Sequence, residues 1–330
     1  MPFYFSLLKG EKIVRGVSSK FLGALLTLFL SSIVLFVLIR QAPGDPITLL
    51  LEQPGDLSIN DASLLEERKQ ELRELHGLND NVFVQYKNWF TKVLRLDLGT
   101  SIWTGRSVAQ EITTALKATL ILAFAALVIQ VVLGIGFGIL SAVRAGGFKD
   151  NVIRLLCVML ASVPGFVLSL SLVYFFAVRY RIYEMSSDIN LYRVWLPAMA
   201  AALTNAPRTI RVVRATSLTE MGQAYTLFSK SCGVSKRIII RDIVRNSLLP
   251  IITVISISLV QMIGGAIVIE SIFSWPGIGS YAVNAIMLHD YPAIQGYSMV
   301  TVTAIILTNL MVDVLYILVD PRLKSAPTNG

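Results

Sequence analysis

The feature that most constrains this chain is a series of long, uninterrupted apolar runs separated by polar turns. The first, Phe21 to Ile39, holds no charged residue and reaches the roughly 20 residues that a helix needs to cross about 30 Å of hydrocarbon. Further runs lie at about 116–143, 152–178, 194–210, 248–269 and 297–319. Composition agrees, with 54% hydrophobic and 15% charged residues, where a soluble domain carries about 25% charged. The fold class expected is therefore all-α and membrane-embedded, with six transmembrane helices.

Charge sets the orientation, because Lys and Arg concentrate in short cytoplasmic loops. Lys9, Lys12, Arg15 and Lys20 precede the first span, so residues 1–20 are expected in the cytoplasm and 21–39 as the first helix. A cleaved signal peptide is the competing reading of this end. It is disfavoured because the run is longer than an h-region and ends at Arg40 without a small-residue cleavage site. Residues 40–114 carry charges of both signs and are expected outside, since long segments translocate largely regardless of charge. Within them, Pro43 to Pro46 reads as a turn, Leu64 to Leu75 as a short surface helix and Val82 to Leu96 as the start of another.

The remaining chain, 115–330, should hold five spans. Arg144, Lys149 and Arg154 mark an inner turn. Pro164 and Gly165 are expected to bend the third span, and the fourth is short and contains Pro197 and Pro207. Between residues 208 and 249, Arg208, Arg211, Arg214, Lys230, Lys236, Arg237, Arg241 and Arg245 face only Glu220 and Asp242. That is the strongest inside signal, and it places a cytoplasmic loop at 211–249. The segment Glu270 to Gly296 has no Lys or Arg and is expected outside, and the tail carrying Arg322 and Lys324 inside. Both termini are thus cytoplasmic.

The net charge of +8 is accounted for by this topology and does not call for nucleic acid. Cys157 and Cys232 form neither a disulfide framework nor a CxxC pair. His76 and His289 are distant from each other, so no dedicated metal site is expected. Gly134 and Gly138 make a GxxxG pair that predicts close helix packing. Glu270 and Asp313 are ionisable groups at or within spans, where charge is costly. Glu270 is expected near the interface, capping a helix end, and Asp313 deeper, as a polar tie to another helix or subunit. The chain contains no G-x-x-x-x-G-K-[ST], G-x-S-x-G or H-E-x-x-H sequence, and catalysis by it is not expected.

The segment Ala224 to Pro250 is amphipathic and basic, is divided at Gly233 and leads directly into the fifth run. A helix on the inner leaflet is one reading of such a pattern. A break at Gly233 followed by a second helix continuous with a span also suits the transmission of force. The order Tyr225, Gly233, Arg241, Arg245, Asn246, Pro250 resembles the cytoplasmic loop of permease subunits of binding-protein-dependent ABC importers, in the dipeptide, oligopeptide and nickel group. APGDP at 42–46, QYKNW at 85–89, DLGTS at 97–101, IESIFSWPGIG at 269–279, DYP at 290–292 and DPRL at 320–323 fall in the order of that group, so the resemblance spans essentially the whole chain.

The resemblance implies a type I ABC importer permease in a bacterial cytoplasmic (inner) membrane. It implies a homologous second permease, two cytoplasmic ATPase subunits that carry ATP and Mg, and an extracytoplasmic solute-binding protein; this chain would bind no cofactor. It further implies coupling to the ATPase through Tyr225, Leu227, Phe228, Gly233, Lys236, Arg241, Arg245, Asn246 and Pro250, with Tyr225 to Gly233 as the docking portion and Arg241, Arg245 and Asn246 bracing it against the membrane helices. Trp275, Pro276, Gly277 and Asp290 become candidates for an outer gate or loop. Acidic residues common in the family just before the tyrosine are replaced by Gln223 and Ala224, which weakens the expected dipole complement of that helix. Gly222-Gln223 and IGGAIVIESIF lean towards nickel-type members, with di- or oligopeptide import the alternative. An ion-coupled secondary transporter is the rival from another class. It would call for an internal repeat and several intramembrane charges, whereas only Asp313 lies deep in a run.

Overall fold

The computed structural model of the protein describes residues 2–41, 67, 70, 71 and 81–319. The APGDP turn, most of the helix expected at 64–75, His76 and the DPRL tail lie outside these residues. Among the described residues the regular structure is helical, with a single isolated bridge between Thr100 and Ser107.

Helix α1 (Pro2–Gln41) runs through the expected first span and the basic stretch before it, and exposes Leu22, Leu26, Leu30 and Leu38. Its inner stripe meets α2 (Val82–Leu94), where Tyr86 shares a 2.8 Å hydrogen bond with Ser32 and Phe36 packs on Tyr86 and Trp89. The QYKNW sequence is therefore an aromatic face laid against the first membrane helix.

The core is built on α3 (Val108–Val143). Its buried positions, among them Ala115, Ala118, Thr119, Ala126, Gly134, Gly138 and Ser141, recur at three- and four-residue steps and are nearly all small. Small residues let membrane helices approach closely, which replaces the hydrophobic drive that lipid removes. A Cβ on Gly138 would lie 2.6 Å from Val213 of α6 (Trp195–Met221), so the GxxxG pair does mark close packing.

Between them, the third span is not one bent helix. α4 (Phe148–Ser162) and α5 (Gly165–Val173), which continues as a π-helical turn to Arg179, meet at 97°. Pro164 has no N–H to continue the ladder and holds Val163 extended (φ −90°, ψ 125°). The fourth span also differs from the expectation. α6 continues through Pro207 to Met221, so Arg208, Arg211 and Arg214 sit on a helix and the loop that follows begins at Gly222 rather than 211.

The loop contains α7 (Ala224–Ser231) and α8 (Lys236–Asn246), and α8 passes into α9 (Leu248–Gly265) through a 56° elbow. The fifth span ends earlier than expected, because the chain re-forms as α10 (Ile267–Ile272). α11 (Ile278–Met287) and α12 (Tyr291–Val319) follow, the last starting one and a half turns before the expected Tyr297.

Among the described residues three helical segments are long and apolar enough to cross a membrane, and five if each bent pair counts as one span. α6 is not one of them. Its stripe from Leu196 to Ser217 is covered by neighbouring helices, so its burial comes from protein packing and its sequence needs less apolarity than a lipid-facing span.

Candidate functional site

The loop after α6 is folded by local bonds. Gly233 takes φ +73°, its N–H donates to Lys230 O and the Val234 N–H to Ser229 O, which closes α7 in a Schellman turn. A side chain at that φ would be strained, which is why glycine stands there. At the other end of α7, Gln223 occupies the N-cap and makes no side-chain capping bond. Contact with α6 is made by side chains instead. The Tyr225 hydroxyl donates to Glu220 Oε2 at 2.6 Å, and the Thr226 hydroxyl to Glu220 O at 2.7 Å. Glu220 thus clasps α7 to the last turn of α6.

The clasp leaves Leu227 and Phe228 outward, with Phe228 71% exposed, and Tyr225 partly so. On α8, Ile239 and Ile243 are buried while Lys236, Arg237, Arg241 and Arg245 are exposed. Arg241, Arg245 and Asn246, expected to brace the loop, are exposed in this chain. Arg241 lies 3.6 Å from Asp242 on the same helix with both side chains largely in solvent. An exposed pair of that kind contributes little.

Asp150, fully buried at the start of α4, accepts two 2.8 Å bonds from the Arg214 Nε and Nη2 of α6, a third from the Ser141 hydroxyl of α3 and a fourth from the Gly146 N–H. Three helices meet on one carboxylate. Deeper, the Gln130 amide of α3 donates to Thr209 of α6 and Ser258 of α9, both at 2.8 Å. Together they tie the helix leading into α7 and the helix leaving α8 to one core.

The SWPGIG loop is equally far from a free surface loop. Glu270 is fully buried; its Oε1 accepts from the Thr119 hydroxyl at 2.5 Å, and its Oε2 from the N–H groups of Gly279 and Ser280 at 2.8 and 3.0 Å. Thr119 in turn accepts from the Ile278 N–H at 2.8 Å. The carboxylate therefore caps α11 and ties it to α3, where its charge complements the positive end of that helix. Glu270 does cap a helix end, but inside the packed core rather than at the interface. A Cβ on Gly277 would collide with that carboxylate, and one on Gly279 would lie 2.7 Å from the Ile267 backbone.

Trp275, a candidate for the outer gate, has no exposed surface; its indole N–H donates to Ala118 O at 2.9 Å among Leu122, Ala198 and Met262. Pro276 is half-buried and Gly277 buried beside it. Asp290 is also buried, accepts from the Ser101 hydroxyl at 2.5 Å and the Ala293 N–H at 3.3 Å, and so joins the DLGTS turn to the start of α12. Its neighbour His289 takes φ +55° in a helix-ending turn. Asp313 is half-buried on α12. The residues picked from sequence thus form two separate groups, one around Glu270 and Asp290 and one around Gly233.

In the loop between α5 and α6, Arg193 is buried, donates to the Glu184 and Asp188 carbonyls and lies over the Tyr183 ring. Burial raises the Tyr183 hydroxyl above the usual phenol range, and the guanidinium partly opposes this.

The sequence profile of the binding-protein-dependent transport system inner membrane components matches residues 134–325. The chain belongs to this family. It is an inner-membrane protein, and the matched region runs from the close-packed glycines of α3 through α7 and α8 to the tail. The chain is 33% identical to a probable peptide ABC transporter permease protein, y4tP, of Sinorhizobium fredii, over 88% of this chain and 93% of that protein. It is 30% identical to the probable D,D-dipeptide transport system permease protein DdpB of Escherichia coli, over 88% and 92%. It is 29% identical to the metal-staphylopine import system permease protein CntB of Staphylococcus aureus, over 89% and 93%.

Within this member of the family, sequence reasoning missed Asp150, Arg214, Glu220 and Gln130. Asp150 stood in a turn read only for its basic residues, and Gln130 carries no charge that a hydropathy scan would flag. The signal available was the spacing of Glu220 five residues before Tyr225.

Proposed function

We propose that this chain is one of two permease subunits of an ATP-binding cassette importer for short peptides, with α7 as the helix on which an ATPase subunit acts. The observation that carries the reading is α7 itself. In a family of binding-protein-dependent inner membrane components, it is a short helix with Leu227 and Phe228 unburied, clasped by Glu220 to a helix anchored in the core. Exposed aromatic and aliphatic side chains on a rigid mount suit a protein groove.

Force on α7 passes in two directions. It reaches α6 through Glu220 and then α3 and α4 through Arg214 and Asp150, and it reaches α9 through the Gly233 turn and α8. Both termini are cytoplasmic in this reading, six spans cross the bilayer, and ATP and Mg are held by the partner ATPases. An extracytoplasmic binding protein delivers the substrate. The outer role first given to Trp275, Pro276 and Gly277 becomes that of a core wedge that fixes α11, and the outer mouth is formed by the segments around it.

The peptide side of the substrate expectation is favoured over nickel because two of the three relatives above are named for peptides and one for a metal chelate. The test is co-expression with a tagged ATPase, binding protein and second permease, followed by labelled-peptide uptake in vesicles. Phe228→Ala should weaken ATPase retention and lower uptake about tenfold, the loss of one interfacial aromatic anchor. Unchanged retention and uptake would exclude α7 as the docking element.

A further inference from the structure

Gln261 and Asn309 are exposed and make no side-chain hydrogen bond among the described residues, unlike Gln130, whose amide is buried and donates to Thr209 and Ser258. Gln261 lies on α9 and lines two adjoining cavities. One, of about 110 Å³, is bounded by Leu122, Ala126, Thr204, Asn205 and Met262. The other, of about 200 Å³, is bounded by Ser256, Ile257, Asn309 and Val312. Gln261 belongs to both, Asn205 to the first and Asn309 to the second, so carboxamides from α6, α9 and α12 line this two-part trough. An amide without a partner is costly against lipid, so this face does not turn to hydrocarbon in the assembled importer. α12 agrees: its span has a mean hydropathy of 1.5, against 2.7 for the first and second spans, as expected of a helix with one wet side.

The chemistry of the trough is specific. A carboxamide offers donors and an acceptor without charge, which matches the peptide group and is indifferent to the side chains a peptide carries. No His, Cys or carboxylate borders either cavity, so a bare divalent cation finds no ligand there. We propose that Gln261, flanked by Asn205 and Asn309, lines the translocation path and hydrogen-bonds to the backbone of a short peptide as it passes. This rests on the importer reading above and adds to it the residues that meet substrate.

The test uses the complete importer in proteoliposomes with labelled trialanine. Gln261→Leu should lower import about tenfold, the equivalent of one lost hydrogen bond to a peptide group, and Gln261→Asn should recover most of it. Gln261→Cys on a Cys232→Ser background, with Cys157 left buried, should react with a membrane-impermeant thiol reagent, and trialanine should protect it. A cysteine at 261 that is unreactive, or reactive but unprotected, overturns the proposal, as does full import by Gln261→Leu. Failure of the wild-type importer to move trialanine would overturn the peptide reading itself, and it is read before any variant is made.

Discussion

Glu270 and Asp150 are both fully buried, and the core holds them by different means. Glu270, on the outer side, is met by a hydroxyl and two backbone N–H groups at the start of α11. Asp150, on the inner side, is met by the two-pronged guanidinium of Arg214 as well as by Ser141 and Gly146. The contrast follows from what each must hold. The outer site fixes a loop against α3, and backbone donors bound to one carboxylate leave no room for movement. The Asp150 site joins helices that lead to α7, and its ion pair meets water through the guanidinium, since the carboxylate itself is buried. Arg214 keeps 24% of its side-chain surface exposed, which provides that route.

Removing the outer carboxylate tests this most severely. Glu270→Ala leaves Thr119 and two N–H groups without an acceptor in the core, so purified protein in detergent should lose about 3 kcal/mol or more of stability, read as a fall in Tm. Loss of the whole SWPGIG fold is the extreme outcome, and a Tm unchanged within error would refute the capping role.

Gly279→Ala sharpens the same side without touching charge. Its Cβ would press on the Ile267 backbone at 2.7 Å, and backbone yields less than a side chain. The expected loss is about 2 kcal/mol in the same melt, within the range for overpacking.

Asp150→Asn should cost less, about 1–2 kcal/mol, because the amide oxygen still accepts one of the bonds and Arg214 is partly exposed. Its larger effect should be on coupling, with ATP hydrolysis continuing while peptide uptake falls. Arg214→Lys should behave similarly, since an ammonium cannot reproduce the paired bonds. Normal coupling in both would remove the functional half of the comparison.

Tyr225→Phe should be the mildest, under about 1 kcal/mol, because the lost bond to Glu220 is exposed. A hydrogen-exchange increase confined to residues 220–231 would show that the clasp orders α7.

Much of this architecture was legible in the chain as written. Apolar runs of membrane length, the basic residues of 208–245 and the glycine at 233 each report a local requirement: a hydrocarbon thickness, a sidedness, a left-handed backbone angle. Those requirements act on neighbours in sequence, so a linear reading finds them. The family motifs were readable for the same reason, although SWPGIG read as an outer loop because its lack of charge says nothing about depth.

What required three dimensions was the pairing of polar atoms. Thr119 with Glu270, Gln130 with Thr209 and Ser258, and Arg214 with Asp150 join residues 64 to 151 positions apart. Nothing in the identity of a lone threonine or glutamine states its partner. Ser274 and His289 adopt left-handed turns without glycine for a related reason: the packed helices on either side fix the angle and offset its strain. A hydropathy pattern specifies which segments leave water. Which buried polar group meets which is set when those segments pack, because an unpaired donor or acceptor in a low-dielectric core costs more than any local preference can supply.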